Sequence, residues 1–262
     1  MPTPGLRFTW PARATALCLL LAAAACGGTT STGPGPAVAV DPQALDLRLA
    51  DATLSAGAAE TALHVLNEML QRDPNNVPAL LRQGNAWMIL GQPADAARSF
   101  SQAVALRPGS LEGLTGLARA RAANGENAES AWRQALERAP DDARLQTGLA
   151  ISLDLQEQHA QAQVLYRAVL ARTPDHPAVR ANLGLSLAMS GQTTEGVALL
   201  RQAAQGGFAS NSAKLERARN NLAAALMMAG DEPGARDVLS QTLPPAEIAA
   251  ALTGLRQFAV AR

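Results

Sequence analysis

Residues 84–108 read GNAWMILGQPADAARSFSQAVALRP, and this stretch decides the fold. Gly84, Trp87, Gly91, Ala96, Phe100, Ala103 and Pro108 fall at offsets suited to two short antiparallel helices. Gly84 and Ala96 are small enough to let the helices approach closely, and Gly91 permits the turn between them. Trp87 and Phe100 fill the space beside the small positions, and Pro108, which cannot continue a helix, closes the unit. The pattern recurs. Pro74, Pro108, Pro140 and Pro174 follow one another at intervals of 34, 32 and 34 residues, so a repeat sets the fold before any local reading does.

Aligned on these prolines, the units resemble tetratricopeptide repeats: a small residue at the eighth place, Gly at the fifteenth, Ala at the twentieth, a bulky residue at the twenty-fourth and Pro at the thirty-second. Unit one carries Ala50, Gly57, Ala62, Leu66 and Pro74; unit three carries Ala118, Gly125, Ala128, Trp132, Ala135 and Pro140. Unit three is two residues short between Gly125 and Ala128, which predicts a tighter turn there. Unit four has Ala150, Ala162, Tyr166, Val169 and Pro174, with Glu157 where the turn glycine is expected. Unit five has Gly184, Leu187, Gly191, Gly196, Leu200 and Ala203 without a closing proline. After a longer connection, about 206–213, unit six has Ala223, Leu226, Gly230, Ala235 and Leu239. Pro244 and Pro245 are expected to stop the array, and Ala246 to Phe258 to form a helix that covers its end.

The reading is therefore all-α: a tetratricopeptide superhelical solenoid of about six helix pairs with a C-terminal capping helix. The units run 43–76, 77–110, 111–142, 143–176, 177–208 and 216–242, and 243–262 form the capping helix and tail. Composition agrees. Apolar residues make up 48% but aromatics only 3%, too few for the pleated faces of a β-sandwich, while the strong helix formers abound. Glycines and prolines at fixed offsets argue against a long coiled coil.

Ahead of the repeats, residues 1–25 have the parts of a secretory signal. Arg7 and Arg13 supply positive charge, and Ala14 to Ala25 form a nearly continuous apolar run. As a helix those twelve residues rise about 18 Å, short of a bilayer core of about 30 Å. Small residues then precede Cys26, and residues 26–42 read as a lipidated cysteine followed by a flexible Gly/Pro/Thr tether. The arrangement resembles a bacterial lipoprotein signal. Ala23 stands where that pattern usually has Leu, which leaves ordinary cleavage to a soluble periplasmic protein as the alternative. The only other cysteine, Cys18, lies in the apolar run, so a mature chain holds one thiol and no internal disulfide. Gly27 after Cys26 implies, by the family's sorting rule, lipid anchoring at the periplasmic face of the outer membrane.

Lys+Arg and Asp+Glu balance at 22 each, so no basic field exists to hold nucleic acid. No constellation suggests an enzyme, a cofactor, a metal or a small-molecule substrate. His64, His159 and His176 lack a second ligand at metal spacing. Gly184-Leu185-Ser186-Leu187-Ala188 sits inside a repeat helix rather than at a nucleophile-bearing turn. Asp141 and Asp142 follow Pro140 where a helix starts, and capping explains them.

What remains is an inner surface. The repeat resemblance implies a groove lined by the second, fifth, sixth, ninth, twelfth and thirteenth places of each unit. At or beside those places stand Arg82, Asn85, Met88, Arg119, Arg144, Asn182, Met189, Asn220, Asn221, Met227 and Met228. Arginines with asparagines suit a peptide backbone or carboxylate, and methionines offer an adaptable apolar wall.

The C-terminal half is more specific. NLGLSLAMSG at 182–191 resembles the penultimate repeat of TadD, the tetratricopeptide lipoproteins of tight-adherence (Flp) pilus systems. RNNLAAAL at 219–226 and LPPAEI at 243–248 resemble that family's last repeat and terminal helix. The resemblance implies a scaffold that helps the pilus secretin, or another pilus-assembly protein, to localise or multimerise. A pilotin of type IV pili and a general envelope scaffold docking peptidoglycan enzymes are the alternatives.

Overall fold

The computed structural model describes residues 41–205 and 213–260. The expected signal, Cys26 and most of the tether lie outside them, as does the connection at 206–212. The described residues form thirteen helices and no strand. Twelve make six antiparallel pairs: α1 (Pro42–Ser55) with α2 (Ala59–Arg72), α3 (Val77–Ile89) with α4 (Pro93–Leu106), α5 (Leu111–Ala123) with α6 (Glu129–Arg138). Next come α7 (Ala143–Asp154) with α8 (His159–Arg172), α9 (Pro177–Met189) with α10 (Thr193–Gln205), and α11 (Ala213–Met228) with α12 (Glu232–Leu239). α13 (Pro245–Val260) packs on α11 and α12. Each pair's first helix touches the first helix of the next pair, whereas successive second helices do not meet. First helices therefore form the inner face of the array.

The repeat is written into the chain at three points. A capping residue stands two positions after each closing proline: Asn76, Ser110, Asp142 and His176 each accept a backbone N–H of the helix that follows. Glycine turns the chain between the paired helices, with φ of +78° at Gly57, +69° at Gly91, +73° at Gly125 and +87° at Gly191. In unit four Glu157 takes that place and that conformation, at φ +61°. Third, each second helix buries small and large residues in order, as in Ala96, Phe100, Ala103 and Ala162, Tyr166, Val169. The Phe100 ring is wedged between units. A methyl group placed at Gly84 of α3 would sit 2.7 Å from it, and one at Gly116 of α5 would also collide with it. Burying such a ring contributes roughly 1.5–3 kcal/mol.

Unit three departs from expectation. Its two missing residues do not tighten the turn. Gly125 keeps its positive φ and the Glu126 N–H still donates to the Arg121 carbonyl, matching the bond from Gln92 to Trp87 one unit earlier. The loss falls on α6 instead, which has 10 residues against 14 in α4 and starts only at Glu129. A hydrogen-bonded turn is a closed local unit, whereas a helix sheds a terminal turn readily. The prolines near the C-terminus also act differently. α12 has already ended at Leu239, and Pro245 opens α13 as its first residue, where its missing N–H costs nothing. Ile248 and Leu252 of α13 are buried with Leu222, Leu226 and Leu239, so this helix covers the apolar end of the last pair.

A polar hub joins units four and five. The Asp154 carboxylate accepts hydrogen bonds from Tyr166 Oη at 2.9 Å and Ser186 Oγ at 2.6 Å, and His159 Nδ1 lies 2.9 Å from it. Burial, and then the nearby Asp154 charge, push the Tyr166 hydroxyl far above its ordinary pKa, so it stays a donor. Ser186, in the segment with a loose likeness to a nucleophile motif, is 1% exposed and committed to this hub.

Candidate peptide-binding groove

Among the described residues, two hollows open on the inner face. The larger, about 790 Å³, is lined by Asn85 of α3, then Leu111, Glu112, Thr115, Gly116 and Arg119 of α5, and Asp142, Arg144 and Leu145 at the start of α7; Trp132 of α6 completes it. Residues three and four apart share a helix face, which brings Glu112, Thr115, Gly116 and Arg119 to one side of α5. The smaller hollow, about 180 Å³, lies between α7, α9 and α11 and is lined by Ile151, Ala178, Ala181, Asn182, Lys214, Arg217, Ala218 and Asn221.

Sequence-predicted groove residues divide accordingly. Asn85, Arg119 and Arg144 meet in the larger hollow, and Asn182 and Asn221 in the smaller. Arg82 lines neither: its guanidinium grips Asp51 of α1 with bonds of 2.7 and 2.8 Å, which raises its pKa, and Glu112 adds to the effect. Met88, Met227 and Met228 are half-buried against the core and form its edge rather than an open wall. Met189 is half-buried at the end of α9, and Asn220 is exposed on α11 outside both hollows. Lys214, Arg217 and Trp132 complete the hollows and were not among the predicted residues. Lysine at 214 and arginine at 217 one turn apart on a first helix carry a readable signal. Trp132 comes from a second helix and has none at that level.

Charges around the larger hollow are partly answered within the chain. Arg144 hydrogen-bonds Asp142 at 3.1 Å, and that bond, helped by the backbone N–H groups of Arg144 and Leu145, holds the Asp142 carboxyl below its usual range. The same contact raises Arg144. Asp142 thus caps α7 and orients a largely exposed arginine. Asp141 pairs with Arg172 of α8 at 3.4 Å.

The histidines take structural places. His159 begins α8 and joins the Asp154 hub, His176 accepts the Val179 N–H at the start of α9, and His64 sits on the surface beside Glu68. Among the described residues no group of side chains is arranged to hold a metal ion, and no helix is long and apolar enough to cross a membrane.

The model of the tetratricopeptide repeat family matches residues 47–110, 81–142 and 156–213, more than half of the chain. No curated protein matches in sequence. Among solved structures, MamA is similar with 25% identity and a TM-score of 0.57, covering 62% of this chain and 90% of its own. A tetratricopeptide repeat protein from Parabacteroides merdae has 15% identity and a TM-score of 0.62, covering 83% and 86%. YrrB, described as a TPR protein with an unusual peptide-binding site, has 18% identity and a TM-score of 0.56, covering 61% and 84%. At these identities the likeness is one of fold.

Proposed function

Since the chain belongs to the tetratricopeptide repeat family, we propose that it is a non-enzymatic scaffold that holds an extended segment of a partner protein in its inner groove. The observation that carries this reading is the 790 Å³ hollow, where polar side chains of three successive units converge on one open face. Polar side chains on such a face can hydrogen-bond the backbone of an extended segment. The peptide site named for YrrB, a protein of the same fold, supports the reading.

The finer reading is a lipoprotein of the tight-adherence pilus apparatus, anchored through Cys26 at the outer membrane and presenting its groove to the secretin. It is supported by the composition around Cys26 and by the segments that resemble TadD. Those segments occupy α9 and its turn, the middle of α11 and the entry to α13. Tethering to the membrane raises the effective concentration of a partner in the same membrane, so modest groove affinity suffices.

The test is a pull-down of the tagged full chain from detergent-solubilised native envelopes, read by mass spectrometry. Enrichment of the tight-adherence secretin is the expected result. Enrichment of a type IV secretin instead, or of cell-wall enzymes without any secretin, overturns the tight-adherence assignment in favour of the corresponding alternative.

A further inference from the structure

The array is closed at one end only. At its C-terminal end α13 buries Ile248 and Leu252 against the last pair. At the other end no unit precedes α1 among the described residues, and Leu45 and Leu49 of α1 are 56% and 49% exposed. They stand one turn apart on one face of the helix, and Ala52, also exposed, continues that face.

The repeat register shows what such a face does elsewhere. Leu45 and Leu49 occupy the third and seventh places of unit one. In later units these places turn toward the unit before. A methyl at Gly113, a third place, would lie 3.1 Å from Val104 of α4, and Gln83, a seventh place, donates to Asn67 of α2 at 2.8 Å. Unit four carries Leu145 and Leu149 there, each 3% exposed, and unit five carries Val179 and Leu183, both buried. Unit one therefore has the apolar residues of a contact between units without the second helix that covers them elsewhere.

Three features narrow what the cover is. The sequence directly ahead of α1 reads as a tether with Gly33, Pro34, Gly35 and Pro36, a composition that supplies no second helix. A lipid surface is disfavoured by charge: α1 and its cap carry Asp41, Asp46 and Asp51 against Arg48, whereas helices that lie on membranes are rich in Lys and Arg. Because α13 covers the opposite end, copies of the chain have no free second helix to offer one another head to tail. What remains is the same face on another copy, which gives a closed pair. Arg48 borders the stripe, and its long stem keeps the charge at the rim of such a contact.

We propose that α1 is a self-association surface, on which a second copy of this chain covers Leu45, Leu49 and Ala52 with its own three residues in a two-fold dimer. The proposal goes beyond the groove reading and uses neither hollow. One helix from each copy makes a small contact, so the dimer is weak in solution, with a dissociation constant on the order of tens of micromolar. Anchoring of both copies through Cys26, as proposed above, would raise their effective concentration, although the contact itself does not require it.

The experiment follows the full chain in density-matched detergent by sedimentation equilibrium over about 1–300 µM. The protein mass is expected to rise from one chain to two. Leu45→Glu with Leu49→Glu should weaken the dimer at least about tenfold while the circular dichroism melt stays unchanged, since both residues are exposed in the single chain. Val164→Glu, on the exposed side of α8, should leave the dimer as it is. Two lipidated chains can share a micelle, so the loss in the double variant is the deciding readout. A photoreactive residue at position 49 should give a two-chain adduct, and one at position 155, where Leu155 is more exposed still, should give none. A single-chain mass at every concentration, a double variant that pairs as well as the parent, or an adduct from 155 and not from 49 overturns the proposal. Crosslinks from 49 to lipid or detergent alone, with a single-chain mass, would assign the face to the membrane and overturn it as well.

Discussion

Replacing Asp154 by alanine should uncouple the two halves of the array. The carboxylate accepts from Tyr166 Oη, Ser186 Oγ and His159 Nδ1 at 2.6–2.9 Å, and Tyr166 and Ser186 are each 1% exposed. Alanine leaves two buried hydroxyls without an acceptor, at about 1–3 kcal/mol each, and removes a third bond at His159. Relief of the carboxylate's own desolvation offsets part of this, so the expected net loss is about 3 kcal/mol. For a chain of this length that corresponds to a fall in Tm of roughly 6–12 °C. Ser186 lies on α9 and the other members on unit four, so the weakened step is the interface between units. In a solenoid, whose stability is close to a sum of unit and interface contributions, weakening one interface also broadens the transition. Urea and thermal denaturation followed by circular dichroism measure both effects. Tyr166→Phe keeps the ring and should cost about 1 kcal/mol. An Asp154→Ala variant within about 0.5 kcal/mol of the parent, the range of neutral surface changes, would refute the reasoning.

Glu157→Gly should stabilise the chain by about 0.5–1 kcal/mol, because a left-handed conformation costs a non-glycine residue about 1–2 kcal/mol and glycine gives part of that back as chain entropy; a lowered denaturation midpoint would contradict the strain. Gly84→Val should cost about 1–3 kcal/mol through collision with Phe100, with partial recovery in the Phe100→Ala background. Unchanged melting of the single variant would count against the wedge. Asp142→Ala should cost about 1 kcal/mol at neutral pH through loss of the cap on α7. Because folding depresses the Asp142 pKa, the carboxylate's contribution is complete above the ordinary value of 3.8 and fades as pH falls below it, so wild type and variant should converge in acid. Denaturation curves at several pH values check this, and a gap that persists in acid would remove the charge from the explanation. Cys26→Ala should release the protein from the membrane fraction, and continued tight retention would sink lipid anchoring.

Much of the architecture was legible because the repeat is carried by residues with few alternatives. A proline, a cap two residues later, a turn glycine and an alternation of small and large side chains leave one arrangement of paired helices. Even the irregular Glu157 could be placed, since its neighbours fixed the register. Unit three was misjudged because spacing alone does not say whether a deletion shortens a turn or a helix; the hydrogen bonds that close the turn at Gly125 decide it. In the groove, Asn85, Arg119 and Arg144 followed from position within the unit. Arg82 did not behave as a groove residue because its partner, Asp51, lies 31 residues away. Trp132 was read only as core. That it also lines the groove depends on Gly148, at the place where other units carry Arg82 and Asn182, a contrast that has meaning only once the helices are packed.

The central claim, that the inner face is where a partner is held, is tested most directly by site-specific photocrosslinking in native envelopes. A photoreactive residue at Thr115, in the larger hollow, is compared with one at the exposed Val164 on α8. The account predicts a discrete crosslink to the secretin from position 115 and none from position 164. A secretin crosslink from 164 alone, or none from 115 while the secretin still co-purifies, would place the contact elsewhere on the solenoid and contradict the groove as the binding site.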